Sequence, residues 1–425
     1  MIRKILALLV TLTFVLSACG GKTGTTGGGL VTITFSAWGA PEELAVWNQI
    51  VADFEAANTN IKVNVEVSDW GAYWDKLKTQ LAASTPPDIF AMDAPLFLDY
   101  QSRGVLLNLQ PYVDQNPDML KDVYPQTLSA YQTSDGYYGL PRDFQTIVLF
   151  YNKDMFDAAG LAYPTSDWTW EDLRTAAKTL TKDTSGDGKI DQYGFVFDQW
   201  DMEPGWSEAI WAYGGDIVNA DHTKTLIGDP AARQAWQLLY DMVFVDKSVP
   251  DANTIGQYGG DLFQAKVAAM MPMGHWAVPG YNTGGFKYDV APMPKGPSGQ
   301  ATSVNSAGFV VAKATKHPQE AFDFIKFVLS QSGQTRLAEL GFACPVLKTV
   351  AESPIFLQQS GSTLNQQVFL DSLAFAHMKP VFKGYDEWAS VVGDGMGAVW
   401  RGEADLNTTL NDIVAQADAV LAKNK

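Results

Sequence analysis

Apolar and polar residues alternate from Val31 to Trp38, with Val31, Ile33, Phe35 and Ala37 on one face and Thr32, Thr34 and Ser36 on the other. A period of two predicts a strand. Pro41 follows at a first helical position, with Glu42 and Glu43 in the first turn, and Leu44, Trp47, Val51 and Phe54 then recur at helical spacing. The alternation returns in IKVNVEV, residues 61–67. The short connections around this helix imply a parallel strand pair. A second helix fits Tyr73–Ala83, with Trp74, Leu77 and Leu81 on one stripe and Pro86-Pro87 beyond its end. Asp88–Asp93 reads as a third strand and Thr146–Tyr151 as another. Thr169 with Asp172 forms a capping box that opens a helix through Leu180. Further helices are expected over Pro318–Leu329, Tyr385–Trp400 and Leu406–Leu421. Alternating strands and helices predict α/β layers. No internal repeat and no interdomain linker stands out, yet 425 residues are too many for a comfortable single core. That combination suggests lobes made by a chain that crosses between them more than once.

The first residues read differently. Arg3 and Lys4 precede a mostly apolar run, Ile5–Ala18, which suits a signal-peptide core and is short for a membrane span. Leu16-Ser17-Ala18-Cys19 resembles the bacterial lipobox, in which the cysteine is lipidated; an ordinary signal peptide with a chance cysteine is the alternative. Residues 1–18 are thus expected to be removed, and residues 19–30, from Cys19 through GGKTGTTGGG, to form a flexible tether. Lipidation of Cys19 leaves Cys344 alone, so no intramolecular disulfide is expected. Cys344 sits in the apolar GFACPV with no basic or histidine neighbour in sequence, and reads as a buried structural thiol.

Charge narrows the chemistry. Asp and Glu number 47 against 30 Lys and Arg, for a net charge of −17. Such a chain lacks the basic face that nucleic acid requires. Two cysteines and four scattered histidines (His222, His275, His317 and His377) leave little material for zinc or iron–sulfur chemistry, and the histidines read as surface or packing residues. There is no G-x-S-x-G, S-x-x-K, H-E-x-x-H, Walker loop or G-x-G-x-x-G. Paired carboxylates alone keep a glycosidase open. In DTSGDGKID, Asp183, Ser185, Asp187 and Asp191 stand at calcium-loop positions with Gly188 at the sixth, but Gly194 replaces the bidentate glutamate. The competing reading is an Asp/Gly turn between a helix and a strand.

The chain has 13 tryptophans. Trp47 and Trp236 fall on regular helical stripes and belong to the core. Trp38, Trp70, Trp200, Trp206, Trp276 and Trp388 instead lie beside glycine, proline or acids in segments that read as loops or strand ends. Flat indoles edged by carboxylates suit the C–H faces and hydroxyl rims of pyranose rings, although core packing competes for each tryptophan singly.

In TPPDIFAMDAPLFLDYQSRGVLLNL, YGLPRDFQTIVLFYNKDMF, WTWEDLRTAAKTL, DGKIDQYGF, AMMPMGHWAVPG and AGFVVAKATKHPQEAFDFIKFVL, the sequence resembles the extracellular solute-binding proteins of bacterial ABC importers, in the sugar-binding group that includes maltodextrin-binding protein. The resemblance runs from about Val31 to Leu421. It implies a two-lobe, periplasmic-binding-protein-like α/β fold with a multi-crossing hinge and a central ligand cleft. Crossings are implied near Pro141-Arg142, Asn305-Ser306 and Ser330-Gln331. The N-terminal lobe would then hold residues 31–141 and 306–331, and the C-terminal lobe residues 142–305 and 332–425. Motif by motif, the implied ligand residues are Trp38, Asp93, Arg142, Asp143, Asp198, Trp200, Trp206, Trp276 and Trp388. For Asp93, capping of the following helix is the competing role. The resemblance implies a monomeric, membrane-anchored receptor without catalytic residues or a required cofactor, which passes a sugar or oligosaccharide to ABC permease subunits. A cell-surface glycoside hydrolase and a surface lectin are the alternatives.

Overall fold

The computed structural model describes residues 29–359 and 363–424; the expected signal peptide, Cys19 and nearly all of the glycine tether lie outside them. Val31–Trp38 is a strand in parallel register with Ile61–Ser68, Val31 opposite Ile61 and Phe35 opposite Val65. The helix between them, Pro41–Ala57, begins on Pro41 and buries Val46, Trp47, Ile50, Val51 and Phe54. The next helix is Trp70–Ala82 and starts three residues before the expected Tyr73. Asp69 is the cause: its carboxylate accepts the Ala72 N–H at 3.1 Å, which fixes Trp70 in the first turn. The capping box at Thr169 and Asp172 forms as expected and opens Trp170–Leu180.

A seven-stranded sheet organises the larger layer. Its order is Cys344–Pro345, Gly139–Thr146, Thr302–Val311, Ile89–Asp93, Val31–Trp38 and Ile61–Ser68, with Ala376–Met378 joining Thr302–Val304. Thr302–Val311 runs antiparallel to both Ile89–Asp93 and Gly139–Thr146. The smaller sheet has Val148–Asn152 at its centre, antiparallel to Met270–Met273 and Tyr288–Ala291.

This arrangement corrects the single strand expected over Thr146–Tyr151. Thr146 ends a strand of the large sheet and Val148 begins one of the small sheet. The run is apolar without interruption, so no periodicity marks the change of partner. The chain therefore leaves the large sheet at Ile147 and rejoins it at Thr302, outside the crossings expected at Pro141-Arg142 and Asn305-Ser306. Nor does it leave that layer at Ser330-Gln331. Gln331–Glu339 packs beside Pro41–Ala57, with Arg336 donating to Asp53 at 3.1 Å and to Gln49 at 2.9 Å, and Cys344–Pro345 pairs with Gly139–Thr146. Cys344 is fully buried, and burial pushes its thiol pKa well above the usual value.

The two central strands are tied from the side. The buried Tyr131 hydroxyl lies 2.8 Å from the Met92 carbonyl and 2.6 Å from that of Ser306, one on each strand. Tyr131→Phe keeps the ring and removes the shared donor. It is expected to cost about 1 kcal/mol, read as a lower urea midpoint at unchanged slope.

Candidate functional site

A cavity of about 550 Å³ opens where segments leaving both sheets converge. Trp38 and Asp93 end strands of the large sheet, while Trp276 follows Met270–Met273 of the small one. Of the residues singled out from the sequence, Trp38, Asp93, Arg142, Asp143, Asp198 and Trp276 line this cavity. Trp200 does not; it lines an adjoining chamber.

Trp206 and Trp388 edge onto that chamber but are core residues, at 2% and 1% exposure, and offer no free face for stacking. Trp388 shares the buried face of Tyr385–Trp400 with Val392, Met396 and Val399. Its Nε1 donates to Thr225 Oγ1 at 3.0 Å, and Phe382 and Tyr385 pack on its ring. Trp206 lies against Trp236, with ring centroids 4.8 Å apart. A neighbouring acid or glycine marks a local turn and does not tell which way an indole faces.

The remaining aromatic lining is firmly seated. Trp38 packs on Trp74 and edge-on to Trp70 and Tyr73. Trp276 folds over Gly274, where an added Cβ would lie 1.8 Å from the indole.

Asp93 does not cap the following turn; no cap bond forms from its side chain. Its carboxylate instead accepts from Asn305 Nδ2 at 2.6 Å and faces Lys379 Nζ at 3.9 Å. Lys379, buried, also stands 3.7 Å from Asp201 and 3.6 Å from Glu203. Strand Ala376–Met378 delivers it: pairing with Thr302–Val304 continues into a Lys379 N–H bond to the Val304 carbonyl. The sequence analysis missed Lys379, Asp201, Glu203 and Asn305. The available signal was a lysine enclosed by apolar residues in AFAHMKPVF.

Burial dominates the electrostatics. It opposes the Lys379 charge, yet the surrounding anions, Asp201 foremost, hold that amine's pKa well above the usual value. Burial raises Glu203 to about 8 despite Lys379, Glu43 to about 7, and Asp198, aided by Asp201, to about 6. Asp93 and Asp143 are raised as well, first by burial. Arg142 is closed into the fold: Nε donates to Asp143 at 2.5 Å, and the guanidinium lies 5.2 Å from the Trp47 ring centre and 5.1 Å from that of Phe342. Its buried Nη1 has no hydrogen-bond partner among the described residues.

In the Asp183–Asp191 loop the carboxylates turn inward. Asp183 accepts from the Gly186 and Gly188 N–H groups, and Asp191 from those of Thr184 and Ser185. Among the described residues, no three His, Cys, Asp or Glu side chains are grouped to hold a metal ion. The hydrogen bonding is that of the Asp/Gly turn.

Residues 38–335 match the family model described as bacterial extracellular solute-binding protein. An uncharacterized lipoprotein of Streptomyces antibioticus is 26% identical over 408 residues, which cover 92% of this chain and 86% of that protein. The galactooligosaccharide-binding protein of Bacillus subtilis is 23% identical over 401 residues, 88% of each. An ABC substrate-binding protein from Listeria monocytogenes, solved in complex with cycloalternan, superposes with a TM-score of 0.85 at 27% identity, over 92% of this chain and 99% of its own. The family, the Bacillus subtilis relative and the Listeria monocytogenes protein are binding proteins, not enzymes.

The raised carboxyls set a pH dependence. Glu203 holds its proton to about pH 8 when folded but releases it near 4.5 when unfolded, so the unfolded chain binds fewer protons between those values. Stability from this group is therefore greatest below pH 4.5 and falls as pH rises towards 8. Glu203→Gln should flatten the fall. Urea midpoints of parent and variant at the two ends of this window check it, and parallel slopes would refute it.

Proposed function

The chain belongs to the bacterial extracellular solute-binding protein family, and on that premise we propose that it is a lipid-anchored receptor that binds a sugar or oligosaccharide in this cavity and delivers it to an ABC importer. The observation that carries the reading is the lining itself: half-buried indoles of Trp38 and Trp276 stand beside the buried Asp93 and Lys379 and the half-buried amide of Asn305. An indole covers the apolar face of a pyranose, and carboxylates and amides order its hydroxyls. Such residues reach the cavity from both sheets, so a bound sugar touches both sides at once. A ligand that contacts both sides best when they approach one another favours the closed form, which an importer can distinguish from the empty one. The protein performs no chemistry on its cargo. Lipidation at Cys19 would hold the receptor near the permease and raise its local concentration there; that a Streptomyces relative is called a lipoprotein supports this part.

A thermal-shift screen against malto-, galacto-, arabino- and manno-oligosaccharides tests the function, because a specific ligand raises the melting temperature by linkage. No shift with any of them would overturn it. Trp38→Ala and Trp276→Ala are each expected to weaken binding by about 2 kcal/mol, roughly thirtyfold, with unchanged circular dichroism. Affinity by calorimetry at the parent value in both variants would return these indoles to packing roles. Cys19→Ala should shift the protein from the detergent to the aqueous phase in phase separation, and retention with the detergent would remove the anchor.

A further inference from the structure

Charge in the cavity is out of balance. Seven carboxylates and two bases line it. Arg142 and Asp143 neutralise one another in direct contact, and Asp69, which is exposed, is committed to the start of Trp70–Ala82. What remains is Glu43, Asp93, Asp198, Asp201 and Glu203 against Lys379. Asp93 and Glu203 are buried, and the other three acids are half-buried.

Glu203 lacks a partner. It is 7% exposed, and its Oε2 has no hydrogen-bond partner among the described residues. Lys379 Nζ, at 3.6 Å, stands too far away to donate to it. The other acids are engaged through single oxygens. Asp93 Oδ1 accepts from Asn305 at 2.6 Å, Glu43 Oε1 accepts the Ala40 N–H at 2.9 Å, and Asp198 Oδ1 accepts the N–H groups of Trp200 and Asp201.

A surplus of anions in a partly buried space is costly, because like charges repel more strongly there than in water. Neutral hydroxyls do not relieve it. An ammonium does: it donates three hydrogen bonds, accepts none and cancels a charge. The empty cavity meets the surplus with protons, since burial raises Glu203 to about 8 and Glu43 to about 7. Around Glu203 stand Lys379, Asp93, Glu208, Asp201 and Tyr385, of which Lys379 alone is a cation. A bound cation can take over the role of the Glu203 proton, which then leaves to solvent. The half-buried indoles of Trp38 and Trp276 suit the same ligand, because an indole takes both the apolar face of a pyranose and a cationic group.

We propose that the cavity is built for an amino sugar, a pyranose carrying a charged amine that Glu203 and the acids beside it receive; this rests on the sugar-receptor reading above. The test is calorimetry on the full chain with glucosamine, galactosamine, mannosamine and short glucosamine oligomers. Each is paired with the neutral sugar that has a hydroxyl in place of the amine, and with the N-acetyl form, which keeps the nitrogen but not the charge. In the pair that binds, the amine should bind about tenfold more tightly than either neutral form. Near pH 6, where folded Glu203 holds its proton, the amine should release a proton from the protein on binding, read from enthalpies in two buffers of different ionisation heat, and the neutral forms should release none. Glu203→Gln, folded by circular dichroism, should lose that release and about tenfold of the affinity for the amine, with a smaller change for the neutral forms. Equal or tighter binding of the neutral forms by the parent, or equal losses for both in Glu203→Gln, would overturn the amino-sugar proposal while leaving the receptor intact. Binding of neutral oligosaccharides with no binding of any amine would do the same. No binding of any sugar, charged or neutral, would instead remove the receptor reading and this proposal with it.

Discussion

Two buried antiparallel strands, Gly139–Thr146 and Thr302–Val311, hold the rest of the structure in place. They pair from Thr146 opposite Val304 to Gly139 opposite Val310, with a register shift at Ala307/Gly308. Buried strands are ordinarily apolar, because polar side chains there must find partners. These carry Arg142, Asp143, Gln145, Thr146, Thr302, Ser303 and Ser306, all buried. Three of them fasten other parts of the chain: Thr146 donates to the Phe369 carbonyl at 2.7 Å, Thr302 to that of Ile147 at 2.5 Å and Ser303 to Glu208 at 2.7 Å, while Ser306 ties the two strands to each other through the Asp143 carbonyl at 2.8 Å. Arg142, Asp143 and Gln145 line the cavity. The strand pair is both the seam of the fold and the floor of the site.

The two buried cations near this floor do different work. Arg142 and Asp143 are in direct contact and enclosed by aromatic rings, an arrangement that neutralises a charge the fold cannot solvate. Lys379 stands between 3.6 and 3.9 Å from three separate carboxylates. Those separations lie beyond normal hydrogen-bond length, so the amine and the Glu203 carboxylate keep capacity for a further partner. The first pair stabilises the wall; the second cluster is the part of it that a hydroxyl-bearing ligand can engage.

The layers were largely legible in the sequence. Val31–Trp38 and Tyr385–Trp400 follow from periodicity to the residue, because in each the large apolar side chains keep mainly to one face. The break at Ile147 was not, since a strand buried on both faces shows no alternation to interrupt. Strand ends put Trp38 and Asp93, and the family resemblance put Trp276, at positions that line the cavity. Indoles within helices or buried loops were harder. Trp388 sits among acids in YDEW, yet helical phase turns it inward onto Val392, and Trp206 meets Trp236, which is distant in sequence. Lys379 depends on a three-residue strand pairing across more than seventy residues of chain, a contact with no local signature.

One short segment, SDWGAYW, shows how local rules connect the floor to the mouth. Its spacing puts Trp70, Tyr73 and Trp74 on one side of a helix, because residues three and four apart share a face. Asp69 sets where that helix begins, and so which of the three rings stands at its open end. Tyr73 and Trp74 are buried, and the Tyr73 hydroxyl donates to the Ala91 carbonyl at 2.5 Å, which roots the cluster in the strand that ends at Asp93. Trp38 lies against all three rings. The aromatic surface therefore runs without a break from the buried sheet to the exposed face of Trp70. Its inner end is anchored by packing, which leaves the outer end rigid although water covers one side of it. A flexible side chain in that place would lose conformational freedom on contact with a ligand; an indole already fixed by its neighbours loses almost none.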